Sequence, residues 1–187
     1  ELIENASATT GHLQEHEIGF LADAHYRQYL PASRLAAVLV SEAYPEAPIT
    51  QIIVKDVKRA WRHLADDFAP PPPPPAISPQ AHVAPNATLG AGVSIGAGAV
   101  IGAGANIGDA CRIAPLAYIA DGVTIGRDSN IGSGVRILEK TTIGARACIL
   151  ANAVIGERGF GNNFEDGRWL PVAQLGGVRI GDDVEIG

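Results

Sequence analysis

The sequence predicts a mainly β chain: a parallel β-helix over residues 77–187, preceded by a small α/β domain over residues 1–69. Three observations carry this expectation. Every sixth residue from Ile77 to Ile155 is a branched aliphatic, fourteen in succession. Six consecutive prolines, Pro70 to Pro75, divide two stretches of different texture. Aromatic residues are only 5% of the chain while glycines number 22, which suits a narrow interior filled by small and aliphatic side chains.

The first domain mixes helix and strand signals. Ala36–Val40 and Gln51–Val54 are short apolar, β-type runs between proline-containing loops. Val57, Trp61, Leu64 and Phe68 recur at spacings of four, three and four, which predicts one face of a helix from about Asp56 to Phe68. Arg59, Arg62 and Asp66 fall on its solvated side, and His63 lies off the apolar stripe as a surface histidine. The segment 70–76 reads as a linker, because a proline run favours a stiff polyproline II spacer.

The repeat has the form of a parallel β-helix. Each six-residue unit supplies a short strand and a turn, and three units close one triangular coil. The aliphatic points to the axis. Two residues earlier stands a mostly small inward residue, as at Ala99, Ala105, Cys111, Ala117, Ser129 and Thr141. Glycine usually follows the aliphatic, which suggests that the corner requires its conformational freedom. Coils should stack about 4.8 Å apart. The period breaks once, between Ile155 and Ile180, where an inserted loop spans 157–179 and carries Phe160, Phe164 and Trp169. Loops on a rigid scaffold commonly carry function.

Composition excludes several classes. The net charge is -6, so no basic footprint for nucleic acid is present. The longest apolar run, Leu35 to Val40, is far below membrane-spanning length, no signal peptide is visible, and the cytoplasm is the expected compartment. Cys111 and Cys148 are separated by just over two coils of the repeat. That is roughly 10 Å along the axis, beyond the ~7 Å reach of a disulfide, so both read as free thiols. No metal-ligand pattern stands out among the five histidines, and His82, the only one in the repeat, reads as a surface residue. Gly102–Gly108 mimics a nucleotide-binding glycine loop but lies inside the six-residue period and opens no helix. The chain opens at Glu1, contains no methionine and stops within a repeat, so both ends read as cut.

One constellation in the first domain suggests a ligand. Phe20 and Tyr26 flank Asp23, and two rings can hold a flat base while a polar side chain reads its edge. Taken with Ile18–Leu21, Ala36–Val40, Gly159-Phe160-Gly161, Gly167-Arg168-Trp169 and the segment from Gln174 to Gly187, the chain resembles the UDP-3-O-(3-hydroxyacyl)glucosamine N-acyltransferases of lipid A biosynthesis. The resemblance implies the left-handed form of the β-helix and a homotrimer. It implies transfer of a 3-hydroxyacyl group from the phosphopantetheine arm of acyl carrier protein to the 2-amine of the UDP-glucosamine lipid precursor, with no other cofactor.

The resemblance further assigns uracil to Phe20, Asp23 and Tyr26, and makes Gly159, Phe160, Gly161 and Trp169 candidates for contact with the acyl chain or substrate. Asp23 stands where the family usually has asparagine, a substitution expected to weaken uridine binding. The family's general-base histidine falls in the coil after Gly187, so no catalytic residue is assigned in this chain and the 187-residue chain is expected to be inactive. Two alternatives are another sugar-nucleotide acyltransferase with the same repeat and a non-catalytic trimeric scaffold.

Overall fold

The computed structural model describes residues 17–187, so His12, His16 and the start of the first domain lie outside the described residues. The chain divides into two compact units within the proline run, between Pro72 and Pro73.

In the first unit, three strands, β1 (Ile18–Phe20), β2 (Ala37–Val40) and β3 (Thr50–Ile53), form a parallel sheet in the order β1-β2-β3. Parallel strands need a crossover, and a 3-10 helix, Ala24–Ala32, lies between β1 and β2. The sequence carries no signal for that helix, since its apolar positions make no periodic stripe. Leu21, Leu30, Leu35, Val38, Val40, Tyr44 and Ala47 form the core. Gly19 in β1 belongs to that packing, because a Cβ there would lie 2.7 Å from a Leu35 methyl carbon.

Helix α1 (Val57–Phe68) matches the predicted helix, with Asp56 accepting from the Arg59 N–H at 2.9 Å as its N-cap. Its apolar stripe is buried unevenly. Val57 is buried, Trp61 and Leu64 are half-buried, and Phe68 is 51% exposed. The helix packs on β1 and β2. Arg62 and Asp66 pair at 3.3 Å across one turn, and His63 is exposed.

The second unit is a left-handed parallel β-helix. Its two-residue strands stack into three five-stranded sheets. One face runs from His82–Val83 to Val154–Ile155, the second from Thr88–Leu89 to Arg179–Ile180, and the third from Ser94–Ile95 to Glu185–Ile186. Stacked partners stand one full coil apart in the chain, as in His82↔Val100 and Tyr118↔Arg136. The aliphatic ladder fills the axis, with Ile95 through Ile149 at 2% exposure or less, while Ile77 at the end of the stack is 51% exposed. The small inward positions are equally closed: Ala99, Ala105, Cys111, Val123 and Val135 are fully buried. Cys111 and Cys148 are both free.

The glycine after the aliphatic has a different cause from the one expected. Gly90, Gly96, Gly102, Gly108, Gly126, Gly132 and Gly144 do not have positive φ. They are required by close approach: a Cβ on Gly126 would lie 2.5 Å from the Ala145 nitrogen and 2.6 Å from the Gly144 oxygen, both backbone atoms of the next coil. The left-handed corner residue comes two positions later. Gly92, Gly98, Gly104, Gly122 and Gly134 hold φ of 65–70°, and Ala110, Leu116, Asp128, Lys140, Arg146, Asn152 and Asp183 occupy the same corner position at 54–64°. At these seven glycines a side chain is therefore excluded although the dihedral is ordinary, while the left-handed corners tolerate one. Aspartates bridge the coils at these turns: Asp109, Asp121 and Asp182 accept from the N–H of Ala91, Ala103 and Ala145 at 2.7–2.8 Å.

The insertion leaves the stack without disturbing its register. Ile125 pairs with Ile143 across an ordinary step, and Ile143 then pairs with Ile180, so the whole insertion fits within one step of the ladder. The same holds on the next face for Ile131, Ile149 and Ile186. The chain exits at Gly156, with φ of 89°. On return the Val178 carbonyl accepts from the Thr142 N–H at 2.9 Å. Gly177 lies against the Lys140 carbonyl, with no room for a side chain, and Lys140 Nζ donates to the Leu175 carbonyl at 3.3 Å. Arg146 closes the first coil beyond the insertion through a two-pronged contact with Asp183 at 2.6 Å.

Candidate functional site

Phe20, Asp23 and Tyr26 come from the end of β1 and the start of the 3-10 helix. Asp23 caps that helix: its Oδ1 accepts from the His25 N–H at 2.8 Å. The cap engages one carboxylate oxygen. Tyr26 presents a ring that is 38% exposed, with His25 edge-on at 5.5 Å and Tyr29 at 6.5 Å. Phe20 is half-buried and packs its ring on Trp61 at 5.0 Å and 31°. Phe20 and Tyr26 thus have separate ring partners and do not stack on one another. Trp61, which in the sequence is one position of a helix stripe, is the residue that supports Phe20. No local pattern links the two positions, and only the packing of helix on sheet joins them.

On the 3-10 helix itself, Arg27 is paired with Glu46 at 2.6 Å and lies over the Tyr44 ring at 5.0 Å. The contact holds the Glu46 carboxyl below its ordinary range, chiefly through the hydrogen bond from Arg27. Burial pushes the Tyr44 hydroxyl above its usual value.

The predicted loop at 157–179 contains a β-hairpin. Asn162–Glu165 pairs antiparallel with Arg168–Pro171 around Asp166 and Gly167, whose φ values are 49° and 78°. Two consecutive positive φ angles define the mirror-image turn that suits a two-residue hairpin, and Asp-Gly is its strongest sequence signal. That signal stands in the sequence, but the flanking strands lack the apolar alternation that would make it a hairpin prediction. Phe164 and Trp169 face each other across the hairpin at 5.2 Å and 60°. They remain 61% and 69% exposed, and Phe160 is 99% exposed at the base. Gly159 and Gly161 shape that base: Gly161 donates its N–H to the Gly159 carbonyl and, through its own carbonyl, accepts from the Val172 N–H, both at 2.9 Å. The hairpin therefore brings Trp169 to Phe164 and leaves Phe160 apart.

Inside the prism, hydroxyl and thiol groups at the small inward positions follow a rule that the sequence does not reveal. Cys111 donates to the Gly126 carbonyl at 3.1 Å, and Ser129 donates to the Gly144 carbonyl at 3.2 Å, each to the glycine of the coil above. Ser129 also accepts from the Ala147 N–H at 3.1 Å. For Thr141 the matching residue is Gly156, where the chain turns out of the stack. Thr141 Oγ1 is buried with no partner among the described residues. Burial raises the Cys111 thiol above its ordinary range. Among the described residues no group of three His, Cys, Asp or Glu is placed to hold a metal ion, and no helix is long and apolar enough to cross a membrane. His82 is exposed on the first strand of the prism.

Two families match. Residues 6–66 match UDP-3-O-(3-hydroxymyristoyl) glucosamine N-acyltransferase, LpxD, and residues 104–139 match the bacterial transferase hexapeptide, six repeats. UDP-3-O-acylglucosamine N-acyltransferase of Pseudomonas aeruginosa (strain LESB58) is 42% identical over 173 residues, covering 91% of this chain and 49% of the relative. The protein of the same name from Ectopseudomonas mendocina (strain ymp) is 44% identical over 182 residues, covering 96% of this chain and 52% of the relative. Among solved structures, a mutant of perosamine N-acetyltransferase from Caulobacter crescentus aligns at 20% identity and a TM-score of 0.42, covering 91% of this chain and 92% of its own. The chain spans about half the length of the curated relatives it matches. Over 91% of its residues the chain is thus similar to the UDP-3-O-acylglucosamine N-acyltransferases, and it carries the hexapeptide repeat at residues 104–139.

Proposed function

We propose that this protein serves the transfer of a 3-hydroxyacyl group from acyl carrier protein to the 2-amine of UDP-3-O-(3-hydroxyacyl)glucosamine, in the cytoplasm and as a homotrimer. The observation that carries this reading is the joining, in one chain, of the acyltransferase match at 6–66 to the hexapeptide match at 104–139. A similarity over 173 of the 187 residues necessarily takes in both units and reaches into the insertion between Ile155 and Ile180 that a bare repeat lacks.

In the reaction the amine nitrogen attacks the thioester carbonyl. A C–N bond forms, the C–S bond breaks, the amine proton passes to a general base and the departing thiolate is reprotonated. This chain's part is binding and orientation. The exposed Tyr26 ring offers a stacking face for uracil, Phe20 braced on Trp61 offers the second ring, and the Asp23 oxygen not engaged by the cap faces the base edge. Phe160, with Phe164 and Trp169 on the hairpin, supplies apolar surface for an acyl chain, and Gly159 and Gly161 set its angle.

The test is equilibrium binding of UDP-3-O-(3-hydroxyacyl)glucosamine in competition with UDP. Binding that UDP displaces, and that Tyr26→Ala weakens about tenfold through loss of one stacked base contact, is expected. No binding, or binding indifferent to Tyr26, overturns the assignment. Binding of UDP-N-acetylglucosamine as tight as the acylated compound would favour another sugar-nucleotide acyltransferase.

A further inference from the structure

Arg112 is the one arginine of the β-helix unit that is not exposed. Arg127, Arg136, Arg146, Arg158, Arg168 and Arg179 all stand in solvent. Two of these are nevertheless paired, Arg127 with Asp128 and Arg146 with Asp182 and Asp183. Arg112 is half-buried, yet its side chain makes no ion pair and no hydrogen bond among the described residues. The guanidinium nitrogens are not among the buried unpartnered atoms, so they reach solvent with no counter-charge beside them, and an anion can take them without displacing a protein partner.

The surroundings of Arg112 are shaped for one. It points outward from the third face of the prism, directly between Ser94 on one side and Asn130 on the other in the strand register. Neighbouring strands lie about 4.8 Å apart, so three hydrogen-bonding side chains stand in one row with Arg112 at its centre. These three residues border a groove of about 290 Å³, walled by Pro73 and Pro74 and floored in part by Ala114. The prolines carry no N–H, so that wall presents their rings and offers no competing backbone donor. Beside the polar row, the small side chains of Ala76 and Ala114 leave space for something flat or aliphatic.

We propose that this groove binds a small organic anion, a phosphate or carboxylate carried on an apolar body. The guanidinium fork would take two anion oxygens, the geometry for which arginine is suited. Ser94 Oγ–H and the Asn130 amide would donate to the same group, and the apolar body would lie along the proline wall. This site is separate from the residues assigned to uracil and to the acyl chain, and it stands whether or not that assignment does.

The experiment is amide-resolved NMR titration of the 187-residue chain with phenyl phosphate, phenylacetate and inorganic phosphate. Shifts confined to Ser94, Gly96, Arg112, Ala114 and Asn130 are expected, with phenyl phosphate or phenylacetate binding more tightly than inorganic phosphate. The tighter of the two aryl anions identifies the source as phosphate or carboxylate. Arg112→Gln should weaken binding about tenfold or more, and Arg112→Lys, which keeps the charge but loses the fork, should weaken it severalfold. Arg136→Gln, on a different face, should leave it unchanged. Equal sensitivity to Arg136→Gln, or no saturable shift with any of the three anions, overturns the proposal. So does a concentration-dependent assembly that Arg112→Gln abolishes, since the guanidinium would then meet another copy of the chain.

Discussion

Replacing Gly126 by alanine and replacing Gly122 by alanine should have very different effects, and the order is the reverse of what backbone dihedrals suggest. Gly122 has φ of 68°, the left-handed region, yet a Cβ there meets nothing within 4 Å. Alanine in that conformation costs about 1 kcal/mol, and seven corners of the same prism already hold non-glycine residues. Gly126 has an ordinary φ, but its Cβ would fall 2.5 Å from the Ala145 nitrogen and 2.5 Å from the Gly144 carbonyl carbon. Backbone atoms cannot swing aside as a side-chain tip can. The coils must separate locally, weakening the Gly126 N–H to Ile143 carbonyl bond of 2.8 Å that joins them. Overpacking of this kind costs about 3 kcal/mol or more. Urea unfolding followed by far-ultraviolet circular dichroism measures both variants. A Gly126→Ala loss at least twice that of Gly122→Ala supports the close-approach account; equal losses, or a larger loss for Gly122→Ala, refute it.

Three further outcomes follow from the same geometry. Ser129→Ala should destabilise by about 1–3 kcal/mol, because it leaves the Gly144 carbonyl and Ala147 N–H without their side-chain partner, whereas Thr141→Val should be neutral or stabilising, since it removes a hydroxyl with no partner; denaturation midpoints decide it, and a loss for Thr141→Val equal to that for Ser129→Ala refutes the contrast. The Asp183 carboxyl titrates below its ordinary range because Arg146 donates two hydrogen bonds to it. Its stabilising contribution is therefore present above the unfolded pKa of about 3.9 and fades as pH falls through the lower folded value. Arg146→Gln should raise the Asp183 midpoint in a carbon-detected NMR titration, and an unchanged midpoint would contradict the pairing. Asp23→Asn should tighten UDP binding about tenfold, because asparagine can keep the cap to the His25 N–H and turn an N–H donor toward a uracil oxygen; calorimetry giving equal or weaker binding would sink that argument.

Much of the fold can be read from the sequence because a solenoid repeats one local decision many times. The inward aliphatics and the two-residue strands follow from a six-residue period, and a single misread unit cannot hide it. The insertion is equally visible as the one break in that period, between Ile155 and Ile180. What the sequence does not display depends on contacts between coils or between distant segments. The glycines at Gly90, Gly96, Gly102, Gly108, Gly126, Gly132 and Gly144 answer to the next coil, and the orphaned Thr141 hydroxyl to the exit at Gly156. Phe20 and Trp61 meet only because α1 lies on the sheet. The Asp166-Gly167 turn is a local signal, yet it predicts a hairpin only when its strands are recognised, and theirs carry exposed aromatics rather than an apolar face.

The central claim is that the first unit holds a uridine nucleotide between Phe20 and Tyr26. A crystal structure of the chain with UDP tests it most directly. The account predicts the uracil ring stacked on Tyr26, with Phe20 on its other side and its edge within hydrogen-bonding distance of Asp23. A nucleotide bound elsewhere, or one that leaves the Tyr26 ring uncovered, would contradict it.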